Sequence, residues 1–176
     1  MLERFRNRRR NREIVDDLYA AVVEEARREV LYTDFHLPDT VMGRFEALSI
    51  HVFLFLARCR DDDDLKPVAQ DLVDRFMTDI EDSIREIGIG DPSVPKRMRK
   101  LAGMFYERVN AYDPGLQARD TVGLGEALQR FALPPGTGPD VAAGLAAYVL
   151  QRKSTWDAVP TTRILAGELA GQKGSS

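Results

Sequence analysis

The sequence predicts an all-α fold: a single compact domain of five to seven helices around a central apolar helix at about residues 40–59. Two observations carry this. Apolar residues recur at i, i+3 and i+4 along nearly the whole chain, whereas β-branched runs are scarce. The 176 residues also suffice for one domain, which at this size buries roughly two-thirds of its unfolded surface.

The first helix is expected over about 12–32, with Ile14, Leu18, Val22, Ala26 and Val30 in register. Pro38 marks a loop from Thr33 to Asp39, after which Asp39 or Thr40 can cap the central helix. Phe45, Leu48, Ile50, Val52, Phe53 and Leu54 point almost all round its wheel, as in a buried helix. The acidic run Asp61–Asp64 favours the positive end of a third helix at 66–87, where Pro67 fits the first turn. Leu72, Phe76, Ile80, Ile84 and Ile87 form its stripe. Asp71–Arg75 and Glu81–Arg85 are candidate i, i+4 pairs, and Gly88 is a natural stop. A fourth helix, about 93–112, buries Met98, Leu101, Phe105, Val109 and Tyr112 and stops at Asp113-Pro114-Gly115. Weaker patterns predict helices at 118–132, at 140–153 capped by Asp140, and at 160–170 after Pro160. Residues 171–176 read as a disordered tail.

Charge divides the chain unevenly. Residues 1–12 carry six arginines and one acid, and the remaining 164 residues hold 19 basic and 27 acidic side chains, so the net −3 combines a +5 arm with a −8 body. An acidic body argues against DNA binding. Leu2 and Phe5, with Arg4, Arg6, Arg8, Arg9, Arg10 and Arg12, are candidates for contact with an anionic membrane or the ribosome. The arm is read as part of the mature protein because it lacks an apolar signal region.

Several chemistries find no support. One cysteine, Cys59, precludes an intrachain disulfide and reads as a buried small hydrophobe. His36 and His51 have no companion cysteine and no short ligand spacing, so a structural zinc site is not expected; no cofactor is expected either. The apolar run Ala47–Ala57 is shorter than the ~20 residues of a membrane span. No phosphate loop, nucleophile elbow or triad is present, and a terpenoid-synthase use of Asp61–Asp64 would need a second metal motif.

Two patterns are candidates for recognition. Arg44, His51 and Arg58, seven apart, share one face of the central helix. They either meet Asp74, Asp79, Asp82 and Glu86 of the third helix in a salt-bridge seam or form a charged recognition surface. If buried, Arg44 would cost a few kcal/mol to replace with alanine. Met104 and Tyr106 flank their helix's stripe, and with Met42, Met77 and Trp156 they either line a groove for another helix or edge the core.

Specific stretches then become recognisable: Leu37-Pro38-Asp39-Thr40-Val41-Met42-Gly43-Arg44-Phe45, Leu48 to Leu54, Phe76 to Asp91, Lys96-Arg97, and Met104-Phe105-Tyr106-Glu107-Arg108. Together, and in this order, they resemble the ubiquinol–cytochrome c chaperone family, assembly factors for cytochrome b of respiratory complex III. The similarity runs from about Leu31 to Tyr112 and more weakly to Ala132; Val41-Met42 and Pro95 depart from the family pattern. The resemblance implies a non-enzymatic, bacterial chaperone with cytochrome b as client and a small partner protein. It would sit in the cytoplasm or on the cytoplasmic face of the inner membrane. Candidate client-binding residues are Met42, Arg44, Phe45, His51, Met77, Asp79, Met104 and Tyr106. The competing readings are a generic helical protein-interaction adaptor and a small-molecule enzyme built on Arg44, His51 and Arg58.

Overall fold

The computed structural model describes residues 2–88 and 91–169, with side chains from 6–88 and 92–169. All of the regular structure among them is helical: α1 (Leu2–Ala26), α2 (Val30–Thr33), α3 (Val41–Cys59), α4 (Lys66–Glu86), a 3-10 turn (Asp91–Ser93), α5 (Val94–Ala118), α6 (Thr121–Phe131), α7 (Pro139–Asp157) and α8 (Thr161–Ile164). Six helices are longer than a single turn and α2 and α8 are single turns, so the all-α, one-domain expectation holds. The side chains of Leu2, Arg4 and Phe5, the loop residue Gly90 and the tail at 171–176 lie outside the described residues.

Helix α3 is the centre, packed against α1, α4, α5 and α7. Ile50, Val52, Phe53, Leu54 and Phe55 are each at most 1% exposed. Thr40 caps it by accepting a hydrogen bond from the Gly43 amide at 3.1 Å. Helix α1 runs parallel to α4, with Asp16 beside Arg75 (3.0 Å) and Tyr19 beside Asp79 (2.7 Å). Helix α4 is antiparallel to α5, and α6 and α7 form a hairpin over the other side.

Several boundaries differ from expectation. The first helix starts ten residues earlier, because arginines are good helix formers and extend the packed segment outward. It also breaks at residues 27–29, where the Tyr32 hydroxyl donates to the freed Ala26 carbonyl at 3.0 Å. Helix α5 passes straight through Asp113-Pro114-Gly115 and ends at Arg119 in a left-handed conformation (φ 54°). The loss of one backbone bond at Pro114 is outweighed by packing: Gly115 lets α6 approach so closely that a Cβ would lie 2.8 Å from the Leu124 nitrogen. Gly138, rather than Asp140, precedes the first residue of α7, and the last helix is only four residues.

The Asp61–Asp64 run does not cap α4, whose N-cap is Leu65 without a side-chain bond. Asp62 instead accepts from the Thr161 hydroxyl and stands 3.7 Å from Arg58. Arg58 also donates to the Val159 carbonyl at 2.9 Å. These bonds close the α3–α4 corner onto the α7–α8 corner. Thr161 holds the Asp62 carboxyl below its usual range.

Candidate functional site

The expected seam between α3 and α4 is absent. Arg44 is exposed and pairs with Asp39 at 2.9 Å, so the large destabilisation foreseen for its removal does not apply. His51 is fully buried, its Nδ1 donating to the Ala47 carbonyl at 2.7 Å, between the rings of Tyr148 and Trp156. Arg58 holds the α7–α8 corner. Arg44 and Arg58 stand about 21 Å apart along the helix axis, and each residue of the line meets different partners. The line therefore does not converge on one pocket. The α4 acids look elsewhere: Asp79 accepts from Tyr19, and Asp74 from Gln70 at 3.1 Å. Arg75 meets Asp16 rather than Asp71, while Glu81–Arg85 forms as expected at 2.8 Å.

The arrangement does contain a groove of about 1090 Å³ between the C-terminal halves of α1 and α4 and the N-terminal half of α3. Val23, Ala26, Phe45, Leu48, Ile80 and Ile84 line it, with Leu101 of α5 at one end. All of the aliphatic residues but Val23 belong to the predicted apolar faces of their helices. The groove exists because these stripes meet around a gap instead of closing on one another.

Its rim is built by the segment before α3. Leu37 is buried, and Pro38 lies so close over Gly43 that a Cβ there would fall 1.7 Å from the Pro38 carbonyl oxygen. Thr40 caps the helix, Asp39 pairs with Arg44, and Phe45 stacks on Phe76 at 6.3 Å. That sequence of contacts is what the motif Leu37 to Phe45 encodes. Of six large apolar side chains exposed among the described residues, Val41 (70%), Met42 (44%) and Ile87 (62%) stand at this mouth. Exposed aliphatics thus gather beside a concave apolar surface.

Among the predicted client-binding residues, Met42, Arg44, Phe45 and Asp79 line the groove. Met77 and Met104 are half-buried against the core, Tyr106 projects from α5, and His51 lies inside the bundle. Trp156 is fully buried, so it edges the core and no groove. Burial and the bond to Asp79 push the Tyr19 hydroxyl far above its ordinary value, keeping it a donor to that carboxylate beneath the groove.

Sequence reasoning missed Glu46 and Arg108. The pair is buried (7% and 8% exposed), with bonds at 2.7, 3.0 and 3.1 Å, and Arg108 also donates to the Met104 carbonyl. Burial would lower the guanidinium's pKa, but Glu46 outweighs it and the net shift is upward. A signal was present: Glu46 is the sole acid of a helix that is apolar almost all round. Among the described residues no cluster of three potential metal ligands occurs, and no helix is long and apolar enough to cross a membrane. Buried Cys59 carries a thiol pushed up to about 12 by burial, which suits a packing role.

Comparison with known proteins agrees with this architecture. A family model described as ubiquinol-cytochrome C chaperone matches residues 33–171. Ubiquinol-cytochrome-c reductase complex assembly factor 1 from Xenopus laevis is 26% identical over 117 residues, covering 66% of this chain and 58% of the relative. The corresponding mouse protein is 27% identical over 114 residues, covering 64% of this chain and 38% of the relative. The chain thus spans less than two-thirds of the length of either relative. The crystal structure of the Cbp3 homolog from Brucella abortus superposes with a TM-score of 0.85 at 41% identity, covering 96% of this chain and 94% of that one.

Proposed function

Because the chain belongs to the ubiquinol-cytochrome C chaperone family, we propose that it is a non-enzymatic assembly chaperone that holds newly made cytochrome b during biogenesis of the ubiquinol–cytochrome c oxidoreductase. The observation that carries this reading is the groove between α1, α3 and α4 with its exposed aliphatic mouth. A membrane-protein segment in water aggregates through its apolar surface. A concave apolar site removes part of that surface from water, with a gain of roughly 25 cal/mol per Å² buried. Met42, Val41 and Ile87 offer adaptable aliphatic contact, and Phe45 and Ile84 supply the floor. Arg44 and Asp79 add polar anchors at the edge.

In the same reading, the exposed helical arm from Arg6 to Arg12 meets an anionic surface such as ribosomal RNA, and a small partner protein completes the complex. The protein works at the cytoplasmic face of the inner membrane. His51, Met77 and Met104 act from within by fixing the helices that shape the groove.

Met42→Glu combined with Val41→Glu is expected to leave the melting temperature within a few degrees, because both side chains are exposed. Crosslinking to cytochrome b in native membranes should fall at least tenfold, together with complex III content. Unchanged crosslinking and unchanged cytochrome b levels would overturn the reading. Capture of a soluble client with normal complex III would point to a general adaptor.

A further inference from the structure

A second surface lies beside the groove and shares Ile87 with its mouth. The first two turns of α5 carry Lys96, Arg97, Arg99 and Lys100, all exposed. None of the four has an ion pair or hydrogen bond among the described residues. Helical spacing turns Val94, Met98, Leu101 and Phe105 inward and places Lys96, Arg99, Lys100, Gly103 and Tyr106 outward. Arg97 lies on the side of Leu101, which is part of the groove wall.

Helix stability does not explain this cluster. Four like charges crowd two turns, at the end of the helix where the backbone dipole disfavours cations. Exposed apolar groups flank them: Tyr106 on the same face (52% exposed), and Ile87, Val41 and Met42 at the adjoining groove mouth. Cations interleaved with aliphatic and tyrosyl side chains suit a phospholipid interface. Its headgroups take the charge, and its upper acyl region takes the apolar groups. A nucleic-acid backbone offers the charge but nothing for the aliphatics.

The topology assigns this surface and the arm to opposite ends. Asp16 meets Arg75 and Tyr19 meets Asp79, so α1 and α4 run in parallel and both end at the groove. The arginines from Arg6 to Arg12 therefore lie toward the far end, about 20–30 Å from the groove end of α1.

We propose that the outward face of the start of α5, together with Ile87 and Tyr106, is the surface by which this protein lies against an anionic phospholipid bilayer, with the groove mouth beside the lipid. This goes beyond the client reading and is tested without a client. Flotation of the full chain with vesicles of phosphatidylglycerol and phosphatidylcholine, against phosphatidylcholine alone, measures it directly. The wild type should float with the anionic vesicles only, and lose binding as salt rises. Lys96→Gln, Arg97→Gln, Arg99→Gln and Lys100→Gln together should weaken binding by about a hundredfold. Replacing Arg6, Arg8, Arg9 and Arg10 with glutamine should weaken binding clearly less than the α5 replacement does. Tyr106→Trp adds a reporter whose emission should shift to the blue, and be quenched by brominated lipid, only with anionic vesicles; this keeps the test valid should the quadruple variant fold poorly. Retained flotation of the folded α5 variant, loss confined to the arm variant, or an unshifted emission from the Tyr106→Trp variant would each overturn the proposal.

Discussion

At the scale of single residues, His51 shows how a side chain singled out for recognition is instead part of the interior. Burial pushes its pKa down to about 4, from 6.5 for the free residue, the bond to Ala47 opposing only part of the effect. Between these two values the unfolded chain binds a proton that the folded one refuses. The neutral imidazole therefore contributes its full stability above about pH 6.5, and loses it as pH falls toward 4. Unfolding free energy should drop by about 2 kcal/mol between pH 7 and pH 5 from this residue. His51→Leu should flatten that segment of the curve, as measured by urea melts. An unchanged slope would contradict a buried neutral imidazole. A histidine seven residues from two arginines reads as one polar line on a wheel, yet only Arg44 reaches the groove. Helix periodicity states which residues share a face and leaves open what covers each part of it.

At the scale of elements, close approaches decide more than propensities. Gly43 is required where the Leu37–Thr40 segment crosses the first turn of α3. Gly43→Ala should destabilise by about 1–3 kcal/mol, since the obstacle is backbone and cannot rotate away. Gly103, exposed in mid-helix with nothing within 4 Å of its missing Cβ, should behave oppositely, with Gly103→Ala stabilising by up to ~1 kcal/mol. Paired chemical melts of the two variants check both signs. The same reasoning explains why Asp113-Pro114-Gly115 fails to end α5. Proline and glycine are local stop signals, but the Gly115–Leu124 crossing sits on them and makes the continued helix the better-packed state. The caps that did read correctly, Thr40 for α3 and Gly88 after α4 (φ 79°), depend on neighbours within four residues.

At the scale of the whole molecule, long-range polar links hold the helices in register. Glu46 and Arg108 tie α3 to α5 from inside the core. Glu46→Ala should cost about 3–5 kcal/mol, because it strands a buried guanidinium, whereas Glu46→Met with Arg108→Met should recover most of that loss. Equal destabilisation by the single and double changes, in denaturant titrations, would show that packing volume rather than charge is at stake. Asp62, Arg58 and Thr161 perform a similar role at the opposite corner, and Tyr19–Asp79 does so beneath the groove. The result is a body with an aliphatic mouth at one end and an arginine-rich helix at the other. The net charge of −3 conceals this polarity entirely.

The sequence by itself determined the helical class, the central position of α3, most helix starts, and the family, through several motifs in order. The helical class and the helix starts depend on periodicity and capping, which are set by residues a few positions apart, and the family rests on the likeness of its motifs. Only the tertiary structure decided that Asp79 meets Tyr19, that Arg108 answers Glu46, that α5 continues past Pro114, and that Met42 and Phe45 share a groove while Met104 and Tyr106 stand outside it. The bonded pairs among these are separated by about 60 residues along the chain. Their meeting depends on how helices cross and which gaps remain when the stripes pack, a property of the assembled bundle rather than of any one segment.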